Sequence, residues 1–145
     1  MTARAAAALL AALAIAGCAP TWSELQRRAP THAGVFELRV EALASCTLRS
    51  LRDTTDPVGP LHGLVYEWVD AERGLVALVR GGYPGRDGDG LDYPALEVRV
   101  AQETGVATLA QVRVGRSAGA ALARAAWSAV ACCARDPGGR RCGGH

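Results

Sequence analysis

Residues 87–92 read Asp87-Gly88-Asp89-Gly90-Leu91-Asp92, three carboxylates at close spacing in a glycine-rich segment. Carboxylates so placed can converge on calcium, a hard cation that gathers several oxygen ligands from a flexible loop. An EF-hand loop counted from Asp87 requires a glutamate at its twelfth position, and Val98 stands there. Asp87, Asp89 and Asp92 are therefore part of a calcium set, and a solvated connection explains the same residues. Sulfur is the second candidate chemistry, with five cysteines at Cys18, Cys46, Cys132, Cys133 and Cys142. Cys132, Cys133, Cys142 and His145 are close in sequence, but their spacing fits no zinc pattern. His32 and His62 stand alone and read as loop residues. Neither a nucleophile elbow nor a phosphate-binding or dinucleotide glycine loop occurs, so no catalytic residue is assigned. Tyr66, Trp68, Tyr83 and Tyr93 could stack on sugar rings, yet such aromatics also serve as core or rim.

The start of the chain carries the clearest signal. Arg4 is followed by residues 5–16, a run of alanine, leucine and isoleucine, and then by Gly17-Cys18. A charged start and a short apolar run have the organisation of a secretory signal. Spanning a bilayer takes about 20 apolar residues, more than this run provides. Ile15-Ala16-Gly17-Cys18 resembles the lipobox of bacterial lipoproteins, and the resemblance covers residues 1–18. It implies a diacylglycerol on the Cys18 sulfur, cleavage before Cys18 and an N-acyl lipid on the new amine. Two or three acyl chains anchor stably where one does not. It also implies a domain facing the periplasm, and Ala19 after the cysteine favours the outer over the inner membrane. An ordinary signal cut near residues 14–16 is the other reading, leaving Cys18 free or in a disulfide.

The expected organisation is a signal peptide over 1–17, a lipidated tether over 18–33, a folded domain over 34–136 and a glycine-rich tail over 137–145. Of 145 residues, all 16 basic ones are arginine, against 14 carboxylates, for a net charge of +2. That balance lacks the basic excess of a nucleic-acid-binding protein. With Cys18 lipidated, four cysteines remain in a chain bound for an oxidising compartment, where an even set reads as two disulfides.

The elements follow from periodicity. Thr21 and Glu24 have capping-box spacing for a short helical turn, and Trp22 beside Arg27 and Arg28 suits either a lipid headgroup region or a solvated linker. Residues 35–51 read as an amphipathic helix with Phe36, Val40, Leu43, Thr47 and Leu51 on one face, although 35–40 also alternate like a strand. Residues 65–69 and 75–80 form a hairpin closed by Gly74 with positive φ. Residues 95–101 and 106–114 form a second hairpin, with Leu96 opposite Val112, Val98 opposite Ala110 and Val100 opposite Thr108 around a bulged turn at 103–105. Ser117 is the expected N-cap of a last helix through about Ala134.

The expected fold class is α+β, a two-layer sandwich in the order helix, four antiparallel strands, helix. A Cys46–Cys133 bond would staple the helices and Cys132–Cys142 would hold the tail; the swapped pairing, Cys46–Cys132 with Cys133–Cys142, also fits. The uncovered sheet face then presents Glu97, Arg99, Gln111 and Arg113 to a partner, expected to be another envelope protein or polymer. Function is expected to be that of a lipid-anchored binding or structural accessory module. A periplasm-facing enzyme and a calcium-dependent binding module are the alternatives.

Overall fold

The computed structural model describes residues 21–52, 55–56, 59–60, 62–70, 72–83, 93–116 and 118–142. Cys18 and the Asp87, Asp89 and Asp92 set lie outside the described residues, as does Ser117. The elements in chain order are α1 (Trp22–Arg27), β1 (His32–Glu37), α2 (Val40–Arg52), β2 (Thr55–Asp56), β3 (Gly59–Pro60), β4 (His62–Trp68), β5 (Val76–Tyr83), β6 (Tyr93–Thr104), β7 (Ala107–Val114) and α3 (Ala120–Arg135). The architecture is mixed α+β, with three helices among the described residues and an antiparallel five-stranded sheet ordered β1-β7-β6-β5-β4. β2 and β3 pair separately. Among the described residues no helix is long and apolar enough to cross a membrane.

The sheet has a fifth strand where a helix was expected. Residues 32–37 pair with β7 from His32 opposite Val112 to Glu37 opposite Ala107, and their burial alternates residue by residue. Phe36 and Val40 suggested one helical stripe because they are four apart, but four is also an even number, so a strand places them on one face equally well. Gly34, Val35 and Phe36 then favour the strand, since glycine is a poor helix former and the other two suit a pleated surface. The helix begins at Val40 instead, and the Thr108 hydroxyl donates to the Leu38 carbonyl at the corner between the two elements.

Val40, Leu43, Ala44, Thr47 and Leu51 form the buried stripe of α2. Thr47 and Ser50 are buried hydroxyls that stay in hydrogen bonds by donating back to the Leu43 and Cys46 carbonyls at 2.8 and 3.1 Å, which removes the penalty of an unpaired polar group. α3 contributes Leu122, Ala126, Ala129, Val130 and Cys133 to the same core, and its alanines leave room for close approach to α2. It starts later than expected, with Gly119 in extended conformation at the cap position and no side-chain cap. Both helices rest on Ala77, Val79, Leu96, Val98, Val100, Ala110 and Val112 of the sheet. The Sγ atoms of Cys46 and Cys133 lie 2.06 Å apart and those of Cys132 and Cys142 2.14 Å apart, at disulfide distance.

The β4–β5 hairpin turns through 69–75, where Gly74 has φ +61° and its N–H donates to the Asp70 carbonyl at 2.9 Å. The β6–β7 register differs from expectation by two residues. Val98 faces Val112, Val100 faces Ala110 and Thr104 faces Ala107. The loop is the pair Gly105-Val106, and only Gly105 has positive φ, +53°, as a II′ turn requires. A register break between Gln102 and Thr104 restores the alternation. Parity of faces alone could not separate the two registers, because a shift of two leaves every side chain on its own face.

Tyr66 and Trp68, next to each other on one face of β4, meet edge to face with ring centroids 5.4 Å apart. The Tyr66 hydroxyl is buried with no hydrogen-bond partner among the described residues. Burial, aided by the Glu41 carboxylate, holds its phenol above the ordinary tyrosine value of 10.0. Because the folded value is the higher one, stability is level below about pH 10 and falls as the pH rises through the folded value. We expect an ultraviolet difference titration against Tyr66→Phe to place this phenol above the free-tyrosine range. The same variant should keep its urea unfolding free energy within about 0.5 kcal/mol of the parent or exceed it, since no bond to the hydroxyl is lost.

Candidate functional site

The face of the sheet turned away from α2 and α3 is organised in cross-strand rows. Register places Arg80 opposite Glu97 and Glu97 opposite Arg113, so one row carries charges in the order plus, minus, plus. Glu97 is 1 % exposed, with Arg80 Nε donating to its Oε2 at 3.0 Å and Arg113 NH1 4.0 Å from its Oε1. Gln26 Nε2 donates to the same Oε2 at 3.3 Å, and Arg80 NH1 reaches the exposed Glu67 at 3.1 Å.

That row lies beneath α1. Thr21 caps the helix by accepting from the Glu24 N–H at 3.2 Å, and Leu25 is buried on the side facing the sheet. Trp22 covers the Arg80 guanidinium with its ring centroid at 5.1 Å, a cation–π contact. Arg113 donates to the Arg28 carbonyl at 2.9 Å and Arg28 to the Val114 carbonyl at 2.9 Å, while Arg116 pairs with Glu24 at 3.1 Å. Trp22, expected in a headgroup region or a linker, is thus directed at the sheet. Residues 22–33, expected in the tether, hold α1 and the start of β1.

The four residues expected to present one binding surface therefore separate. Glu97 and Arg113 are interior, with the Arg113 side chain 12 % exposed. Arg99 and Gln111 face each other in the next row, where Gln111 accepts from Arg113 at 3.2 Å. Arg99 has no hydrogen-bond or ion-pair partner among the described residues. One row further, Val35, Leu109, Ala101 and Val76 align across the strands. Val69 extends this row through its N–H bond to the Val76 carbonyl. Its ends are open, Val35 being 58 % and Val69 59 % exposed.

Between α1 and this apolar row runs an open groove of about 330 Å³, lined by Gln26, Val69, Val76, Leu78, Glu97, Arg99 and Arg113. It sets the Arg99 guanidinium, a group able to pair with a carboxylate or phosphate, beside an apolar wall. The lining includes no histidine, cysteine or serine to act as base or nucleophile. His32 sits in β1, against the loop expectation, and stacks on Trp127 with centroids 5.5 Å apart; His62 opens β4. Tyr83 is core and Tyr93 lies at the rim. The cysteines expected as ligands or disulfides gather at the far side of the molecule, where the Sγ atoms of Cys46, Cys133 and Cys142 all lie within 4.8 Å of one another.

Gln26 and Arg80 escaped the sequence reading, and Trp22 and Arg28 were read as membrane-proximal or linker residues with no contact to the sheet expected. The available signal was the +/−/+ series Arg80, Glu97, Arg113, which the shorter register hid by setting Glu97 opposite Gln111. Comparison with models of known families and with curated proteins finds no match to this chain.

Removing one member of a buried ion pair leaves the other charge uncompensated, at a cost of about 3–5 kcal/mol. Glu97→Ala is therefore expected to lower the urea unfolding free energy by about that amount, with Glu97→Gln costing less because it keeps hydrogen-bonding atoms beside Gln26 and Arg80. A loss under about 1 kcal/mol for Glu97→Ala would mean that α1 is not held by this row.

Proposed function

We propose that this chain is a lipid-anchored protein of the bacterial cell envelope, a binding or structural accessory module. It is held through a diacylglycerol and an N-acyl lipid on Cys18, with its domain in the periplasm and the outer membrane as the favoured location. The observation that carries the reading is the apolar run 5–16 ending in Gly17-Cys18. Two cysteine pairs at disulfide distance support it, because such bonds persist in oxidising compartments. In this reading Cys46–Cys133 staples α2 to α3 as one layer of a two-layer sandwich, and Cys132–Cys142 holds the tail.

The anchor and the groove are close. Trp22 is four positions after Cys18, and a fully extended chain covers about 14 Å over that distance. Since α1 is fastened to the sheet, the groove beside it stays near the membrane surface. Its occupant is another envelope protein that offers a carboxylate to Arg99 and apolar side chains to the Val35–Val69 row, by complementarity to the unpaired guanidinium.

Metabolic labelling with a palmitate analogue is expected to mark the wild-type chain and to leave Cys18→Ala unmarked; an unlabelled wild type would end the lipoprotein reading. Independently, Arg99→Glu should reduce recovery of the crosslinked envelope partner about tenfold, while Arg124→Glu on the exposed side of α3 should not. Equal recovery from both variants would remove the groove as the docking site.

A further inference from the structure

The sulfur cluster has an outside and an inside. Cys46 and Cys133 are 0 % exposed, whereas Cys132 and Cys142 are only partly buried, so a thiol from solvent can reach only the outer pair. Cys132 lines an open concavity of about 550 Å³ together with Arg135, Asp136, Arg140 and Arg141. Three guanidiniums against one carboxylate make this concavity cationic. Cys142 is not in that lining, and its Sγ lies instead within 4.8 Å of both Cys46 and Cys133. The tail packs closely there: a Cβ at Gly139 would stand 3.1 Å from the Cys46 Sγ.

We propose that Cys132–Cys142 is an exchange site for a small thiol bearing carboxylates, and that Cys142 relays the exchange to the buried Cys46–Cys133 pair. The incoming thiol gives its proton to solvent, and its thiolate attacks the Cys132 Sγ from the arginine-lined concavity. The Cys132–Cys142 bond breaks and the electron pair leaves on Cys142. That thiolate attacks the Cys46 Sγ, forming Cys46–Cys142, and Cys133 departs with the electron pair and takes up a proton. The Ser50 hydroxyl, 3.5 Å from the Cys133 Sγ, is the neighbouring polar group. The sum is one external thiol consumed and one cysteine thiol formed, with two disulfides before and two after, so no further oxidant or reductant enters. Positive charge favours both the entering thiolate and its approach to Cys132. The outcome is mechanical as well: the link from α2 passes from α3 to the tail.

Two measurements on the full chain test this. Cleavage of Cys132–Cys142 by glutathione, an anionic thiol, is compared with cleavage by cysteamine, a cationic one, each rate normalised to its thiolate concentration. Glutathione is expected to be on the order of tenfold faster at low salt, with the advantage lost at high salt and in Arg140→Glu/Arg141→Glu. Equal rates in the wild type would overturn the anionic-thiol site. For the relay, Cys132→Ser frees Cys142 beside the buried bond, and Cys142→Ser is the control that cannot relay. Alkylation of Cys133 should be about tenfold greater in the first than in the second, with a Cys46–Cys142 peptide present; full alkylation of Cys142 with Cys46–Cys133 intact would overturn it. Should Cys132→Ser fail to fold, glutathione-treated wild type supplies the same reading. Glutathione on Cys132 with Cys133 alkylated supports the relay, and an untouched Cys46–Cys133 pair after complete outer cleavage refutes it.

Discussion

A carboxylate buried at the centre of a sheet constrains everything around it. Glu97 sits on the middle strand of the five, 1 % exposed, and ionised oxygens in that position require cations and hydrogen-bond donors on every open side. Arg80 and Arg113 flank it from the neighbouring strands, and Gln26 supplies a donor from above. The two arginines need cover in turn, and receive it from the Trp22 ring and the Arg28 carbonyl. Three of these contacts come from α1 and its C-cap residue Arg28. The short helix is thereby held on the sheet through polar contacts, with Leu25 as its buried apolar residue.

The two faces of the sheet consequently do different work. One carries a hydrophobic core of valines, leucines and alanines under α2 and α3, where the dominant gain is removal of apolar surface from water. The other is divided: half closed by α1 over a charged row, half left open as the groove with Arg99 and the Val35–Val69 row. The opening follows from where α1 lies: its contacts are with the Arg80, Glu97 and Arg113 row, and the rows of Arg99 and Ala101, further along the same strands, are left uncovered by it. The sulfur cluster lies on the other side of the core from the groove, so the exchange proposed at the cysteines and the docking proposed at Arg99 are spatially separate.

Several expectations were legible in local pattern. Thr21 and Glu24 announce a helix start, Gly74 and Gly105 mark turns that need positive φ, and the alternation of β6 and β7 identifies their faces. The expectation that residues 35–51 form one helix fails at Phe36 and Val40, whose spacing satisfies both periods, so that pairing with β7 had to choose. The expected register of the second hairpin fails for a related reason: moving by two residues changes partners without changing faces. The consequence was functional. Shifted by two, Glu97 lost Arg113 as its partner on paper, and a buried ion pair read as an open charged surface.

Sequence alone determined the apolar run ending at Cys18, the α+β mixture, the glycines at which the hairpins turn and the inward-facing residues of β6 and β7, because each of these is encoded within a few neighbouring residues. Tertiary structure decided which cysteines approach one another, that β1 joins the sheet and that α1 closes half of its second face. Those outcomes depend on partners as far apart in the chain as Cys46 and Cys133, or Gln26 and Glu97. No local period records such pairings; they exist only once burial has made an unpaired charge or an uncovered apolar face too costly to leave.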